Sequence, residues 1–338
     1  MNRTLSILVV AVIACGGSSA PPTTPLPPEP EAKPAEEAKA TPPPAKPEPP
    51  PTVTVDRPID VPKSTLKLVK GGSGKKAVLK LAAAQGTKQH VDLLLDFLQK
   101  TDAPADVGGS QQEIVPTVVL ASDVEVGEVG SDGTAKFTVT VSGTDAKDRA
   151  GAMMSGADFK AQKMGDVTGL TVTGSVSPNG QAGPMTMHLE KADARAKALT
   201  DLIRLLLAPL WPQLPTEPIG VGAKWTVSTP VKIVDQLDAT QTVEYEVVSH
   251  KGSAWELKGT VKIAGATQKI DTTSFDKIGG SGSIAMTMTD GTFVPQSTSS
   301  LTSEFQVSVT LPANAGSAAG QQRSAQVHLE QGFGVSPK

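Results

Sequence analysis

From residue 63 onward apolar and polar residues alternate, and short Gly-containing turn signals punctuate the alternation. Successive side chains of a strand point to opposite faces, so this pattern gives strands with one apolar and one polar side. Asp123-Val124-Glu125-Val126 and residues 136–141 flank Asp132-Gly133, a dipeptide suited to the primed turns that match strand twist. Asn179-Gly180 stands in the same way between residues 170–173 and 185–188, and Asp290-Gly291 between residues 284–288 and 292–294. Residues 242–247 turn at Lys251-Gly252 into Trp255-Glu256-Leu257, and further strands are expected at 304–310 and 325–329. The chain therefore reads as α+β, mostly β, with a large antiparallel, curved sheet packed on one side over residues 63–338.

Two segments depart from the two-residue period. Over 192–208, Ala192, Ala196, Leu199, Ile203, Leu206 and Leu210 recur at helical spacing while Asp193, Lys197, Asp201 and Arg204 fall opposite, until Pro209 and Pro212 stop the run. This predicts an amphipathic helix whose Leu199, Ile203 and Leu206 face the sheet. A weaker helix is expected over 150–164, with Met153, Ala157, Ala161 and Met164 on one face and two internal glycines against it. Residues 89–99 fit both periods. They are read as a strand, paired with residues 77–83 through Gln85-Gly86-Thr87. At an offset of 119 residues, Val124, Glu125, Val129, Gly133 and Ala135 align with Val243, Glu244, Val248, Gly252 and Ala254. Hairpin chemistry alone produces such matches, so two related halves and plain convergence both stay open.

Upstream, the texture is different. Between Pro21 and Pro62 stand 16 of the 28 prolines, with Ala, Glu and Lys between them. Such a stretch buries too little surface to offset its ordering entropy, so residues 15–62 are expected to form a disordered linker reaching at most about 130 Å. At the N-terminus, Arg3 precedes an apolar run of about ten residues that ends at Cys15, the single cysteine. That run is too short to span a bilayer and reads as a secretory signal over residues 1–14. Val12-Ile13-Ala14-Cys15 resembles the lipobox of bacterial lipoproteins. The resemblance implies that Cys15 is lipidated, that cleavage falls before it, and that the mature chain is bound to a membrane. Gly16 stands where an Asp retains such proteins at the inner membrane, so the resemblance points to the outer membrane. With its one thiol committed to lipid, the chain has no intrachain disulfide and must rest on packing and strand pairing.

Composition narrows the chemistry. Thirty-one basic against 34 acidic residues give a net charge of −3, with no basic stripe evident, which argues against nucleic-acid binding. Eleven aromatic residues supply few stacking platforms. His90, His188, His250 and His328 are far apart without a second ligand at metal spacing, so no metal or cofactor site is expected. Gly71-Gly72-Ser73-Gly74-Lys75-Lys76 fails the phosphate-loop pattern at both its first glycine and its hydroxyl position, and reads as a flexible basic turn. Gly279-Gly280-Ser281-Gly282-Ser283 lacks the last glycine of a nucleophile elbow and is expected to be a loop. Asp92, Asp96, Asp123 and Asp166 are scattered, and no catalytic residues are assigned.

The phrase Pro215-Thr216-Glu217-Pro218-Ile219-Gly220-Val221-Gly222-Ala223-Lys224-Trp225 resembles a segment of poorly characterised β-rich envelope lipoproteins, where a helix leads through glycines into a strand opened by Trp. Here Gly220 and Gly222 would permit a tight bend and Trp225 would bury against the helix. In architecture, a large curved sheet with one helix resembles lipoproteins that hold acyl chains in an apolar concavity. The expected function is a membrane-anchored, non-catalytic envelope lipoprotein with a binding or scaffolding role. A binding role would take a lipid or other apolar ligand, for which Met153, Met164, Met185, Met187, Met286 and Met288 offer adaptable surface. An envelope enzyme whose active site is not visible in the sequence is the alternative.

Overall fold

The computed structural model describes residues 51–81, 83–105, 109–162, 165–207, 210–234, 236–310 and 322–338. Cys15, the signal segment and most of the Pro-rich linker lie outside the described residues. In chain order the strands are β1 (Val53–Ile59), β2 (Thr65–Lys70), β3 (Ser73–Ala77), β4 (Lys88–Asp102), β5 (Gln111–Ile114), β6 (Thr117–Val129) and β7 (Ala135–Lys147). After helix α1 (Gly156–Ala161) come β8 (Thr171–Val176) and β9 (Met185–Ala192), and after helix α2 (Ala194–Leu207) come β10 (Ile219–Val221), β11 (Lys224–Ile233) and β12 (Leu237–Lys251). The chain closes with β13 (Ala254–Ala264), β14 (Gln268–Ile270), β15 (Thr273–Thr289), β16 (Gln296–Thr310) and β17 (Gln322–Pro337).

Fifteen strands form one antiparallel sheet, with the path β1-β9-β8-β7-β6-β4-β17-β16-β15-β13-β12-β11-β2; β5 pairs with β4 and β14 with β15 off this path. All four Gly-containing turns close hairpins, with Gly133, Gly180, Gly252 and Gly291 at positive φ. Alternation fixes the register. Val124, Val139, Val172 and Met187 lie side by side across four strands, and all are buried. Val227, Val243 and Val261 make the matching row at the other side. The opposite face carries exposed Glu256, Lys258, Thr260 and Lys262 on β13 alone, so the sheet is packed on one side.

The edges of this sheet fix its shape. Thirteen strands laid flat would span about 58 Å, yet the two edge strands β1 and β2 are joined by residues 60–64, a link that reaches at most about 21 Å. The sheet must therefore curl until its edges nearly meet. They do not pair with each other, and the seam stays open. Ser64 Oγ lies 2.7 Å from Thr229 Oγ1 and pins the link to β11.

Four expectations need correction. Residues 53–59 are not linker but the edge strand β1, and the folded unit begins at Thr52. Val55 and Ile59 alternate there and are buried against β9, while Pro58 is tolerated because an edge strand has a side that needs no donor. The hairpin expected between 77–83 and β4 does not form: Ala77 ends β3, which pairs with β10, and β4 pairs with β5, β6 and β17. The weaker helix shrinks to α1, capped by the Ser155 side chain, with Phe159 buried and Met153 exposed, so Met153 is not on its apolar face. The tract 279–283 lies inside β15: next to the backbone of β16 an added Cβ at Gly280 or Gly282 would sit 2.3 Å from a carbonyl oxygen.

Helix α2 starts two residues later than expected and buries Leu199 and Ile203 of its predicted face, while the Leu206 side chain lies outside the described residues. Asp193 Oδ1 accepts from the backbone N–H of Arg195 and Ala196, at 2.9 and 2.7 Å, satisfying two of the orphan donors of the first turn. Ala196, Leu199, Ile203 and Leu207 are buried, while Arg195, Lys197 and Ala198 face water.

Candidate functional site

The concave side of the curled sheet is where an apolar ligand would lodge. Two irregular segments, besides α2, occupy it. Residues 210–219 bring Leu210, Trp211, Leu214 and Ile219, and residues 79–81 bring Leu79 and Leu81, all buried. Trp211 packs on Phe137 and Phe293 with ring centroids 4.6 and 5.5 Å away, in tilted geometry. Its indole N–H donates to the Phe293 carbonyl at 3.1 Å, which satisfies the polar tip of a buried aromatic. The Gln89 side chain holds that same turn: its amide N–H donates to Val294 O, and its carbonyl accepts from the backbone N–H of Phe293 and Val294.

The β8–β9 turn clasps both segments. Asn179 O accepts from Leu214 N–H and Pro178 O from Leu81 N–H, each at 2.8 Å. Gly180 (φ +82°) sits so close that an added Cβ would fall 1.9 Å from the Pro212 carbonyl oxygen. Trp225 is fully buried, but its neighbours are not the helix. Its ring stacks on Tyr245 at 5.4 Å and its N–H donates to Gln213 O at 2.8 Å, so it braces the same plug. Burial pushes the Tyr245 phenol above its ordinary pKa. The bend before Trp225 is as the glycines predict: Gly222 has φ +76° and the register of β10 shifts between Ile219 and Val221.

Two cavities among the described residues have volumes of about 280 and 330 Å³. One lies at the turn-bearing rim, against Leu81, Ala84, Val129 and Pro178. The other is a surface hollow among Lys88, His90, Asp123 and Glu125. Small-molecule sites usually enclose about 300–1,000 Å³.

Of the polar residues singled out from the sequence, His90 and Asp123 are brought together, and among the described residues the others stand apart. Asp123 accepts from His90, and Asp56 stands 3.7 Å from His188. His250 stacks on Trp255 at 3.7 Å. His328 lies between Glu304 and Glu330, at 2.9 and 3.1 Å, and hydrogen bonding to Glu330 raises its pKa, with burial opposing and Glu304 adding to the rise. Asp92 faces the Lys338 ammonium at 2.9 Å, Asp96 accepts from Thr117, and Asp166 accepts from Thr168 N–H. Among the described residues no three His, Cys, Asp or Glu side chains are placed to hold a metal ion. Met185, Met187, Met286 and Met288 are buried core, Met153 is exposed, and Met164 lies outside the described residues. The inward packing of residues 79–81 and 210–214 carries no sequence period, because irregular apolar segments have none; Trp211 and Leu214 between prolines were the available signal.

No protein-family model and no curated protein matches the chain. Among solved structures, a loop-L8 deletion mutant of OmpT, an outer membrane protein of Vibrio cholerae, aligns over 75% of this chain and 100% of its own at 8% identity, with a TM-score of 0.16. The in-vitro folded trimer form of OmpT aligns over the same shares at 9% identity and a TM-score of 0.15. Likeness of this degree carries no argument about fold or function.

Proposed function

We propose that this chain is an envelope lipoprotein, held at the outer membrane through lipidated Cys15, whose β-rich unit is a non-catalytic scaffolding module and not an acyl carrier. The observation that carries the second half is the plug of Trp211, Leu210 and Leu214, which occupies the concave side where an acyl chain would have to lie. A curved sheet leaves apolar surface that is either closed by the chain itself or used for binding. Here α2, residues 79–81 and residues 210–219 close it. The non-catalytic reading draws support from the outer face, where His90, His188 and His328 each engage a local carboxylate. The anchor rests on the lipobox residues Val12-Ile13-Ala14-Cys15. Metabolic labelling with a radioactive fatty acid tests it: the intact chain takes up label and stays with the outer membrane through a high-salt wash, whereas Cys15→Ser takes up none and is released by the wash. Unchanged label, or sedimentation of the variant after a high-salt wash, would overturn the anchor.

A further inference from the structure

A net charge of −3 conceals a cluster of the opposite sign. Between Asp60 and Asp92 the sequence has seven lysines and no carboxylate. Six of them, Lys63, Lys67, Lys70, Lys75, Lys76 and Lys80, are exposed in the structure, and none makes a salt bridge among the described residues. The expectation of no basic stripe therefore fails: local crowding on one segment is invisible to a whole-chain balance.

The fold holds this segment in one place. β2 is the sheet edge, with Leu66 and Leu68 paired to Val227 and Trp225 and Lys67 turned the other way beside Thr226. β3 pairs with β10, and Gly72 and Gly220 lie so close that a Cβ on either would meet backbone at 2.2–2.3 Å. Gly220 N–H donates to Gly71 O at 3.0 Å. The expected flexible turn is instead clamped to the strand that leads into Trp225. Exposed aliphatic side chains stand among the lysines: Val69, Val78 and Val221 are 60, 50 and 41% exposed. The carboxylates Glu244 and Glu246 of β12, one strand further in, are engaged by Lys224 and Lys258, and Glu217 stands two residues before β10.

We propose that this β2–β3–β10 face docks on a bilayer surface rich in anionic phospholipid. Lysines with interleaved aliphatics are the chemistry of an interfacial contact: ammonium groups meet headgroup phosphates and the valines enter the headgroup boundary. Nucleic acid fits less well, because the patch has no aromatic side chain on which a base could stack. The face gives the protein a second membrane contact, independent of Cys15.

The test uses the chain from Gly16 onward carrying Lys75→Ala and Lys76→Ala, against the unsubstituted chain from Gly16, so that no lipid anchor is present in either. Sedimentation is measured with phosphatidylcholine vesicles and with vesicles containing one-third phosphatidylglycerol. Binding is expected only to the anionic vesicles, falling at 0.5 M salt. Each lysine near an anionic surface is worth about fivefold in affinity, so the double variant should bind roughly 25-fold more weakly. Lys262→Ala with Lys269→Ala, outside the patch, should bind as the unsubstituted chain does. Three results would overturn the proposal: no binding to anionic vesicles, equal loss in the control pair, or binding to a soluble polyanion such as heparin without binding to vesicles. Loss of labelling at Cys15 would leave this result standing, because the two contacts are measured on different chains.

Discussion

The guanidinium of Arg57, on the edge strand β1, donates to the carboxylate of Asp201 in helix α2, tying the first strand of the sheet to the helix that enters its concave side. The pair is 36 and 38% exposed, so its own contribution is small, on the order of 0.2–1 kcal/mol. The strand it marks matters more. Val55 and Ile59 bury almost completely against β9.

A chain beginning at Lys63 should therefore be less stable than one beginning at Thr52 by about 3–6 kcal/mol, the worth of two buried aliphatic side chains. Arg57→Ala in the longer chain should cost less than about 1 kcal/mol. Urea denaturation of the three proteins checks both; equal midpoints for the two lengths would return residues 52–62 to the linker.

The plug can be weighed with two glycines of the same φ. Gly86 and Gly180 both have φ +82°, but an added Cβ at Gly86 meets nothing within 4 Å, whereas at Gly180 it meets Pro212 O at 1.9 Å. Gly86→Ala should cost about 1–2 kcal/mol, the left-handed penalty alone. Gly180→Ala should cost about 3 kcal/mol or more, because residue 212 must also move. Similar values for the two would mean that the 177–181 turn does not hold the plug.

Val234 has φ +46° at the turn between β11 and β12, a conformation that β-branched residues rarely adopt. Val234→Gly should raise stability by about 1 kcal/mol despite the greater chain entropy of glycine. A lowered melting temperature would show that the side chain contributes packing that outweighs the strain.

His328 supplies the pH dependence. Its folded pKa is raised above 6.5 by Glu330 and Glu304. A raised value means that its stabilisation is complete below about pH 6.5 and is lost as pH rises through the folded pKa. In His328→Gln that stretch of the stability curve should flatten, and the imidazole resonance of the unsubstituted protein should titrate above the ordinary histidine value. A resonance titrating below 6.5 would contradict the pairing.

Most of the sheet was legible because hairpins are local: Asp132-Gly133, Asn179-Gly180 and Asp290-Gly291 sit between alternating runs, and each closes two neighbours of the sheet. Helix α2 was legible for the same reason, its apolar period being unbroken from Ala196 to Ile203. The pairing of β1 with β9 is not local, since Val55 meets Leu189, and no turn announces it. Proline density upstream also hid a seven-residue strand. Residues 77–83 looked like the partner of β4 because the loop was short, yet Val124 and Asp123 offered a longer alternating edge to Gln89 and His90. The filled concavity was illegible altogether. Trp211 reaches Phe137 and Phe293 across 74 and 82 positions, a relation that follows from sheet curvature and not from any spacing.

Replacing Trp211 tests whether the plug is core. Trp211→Ala should cost about 3–5 kcal/mol and leave a cavity against Phe137 and Phe293. A neutral effect would mark the indole as a displaceable lid over a ligand site.

The most direct measurement is native mass spectrometry of the chain from Gly16 onward, produced in the envelope and extracted without detergent exchange. A closed concavity predicts the mass of the bare polypeptide, and no saturable displacement of a fluorescent fatty acid. A stoichiometric lipid adduct that survives desalting, and that Trp211→Ala alters, would contradict the scaffold and make the concave side a binding site.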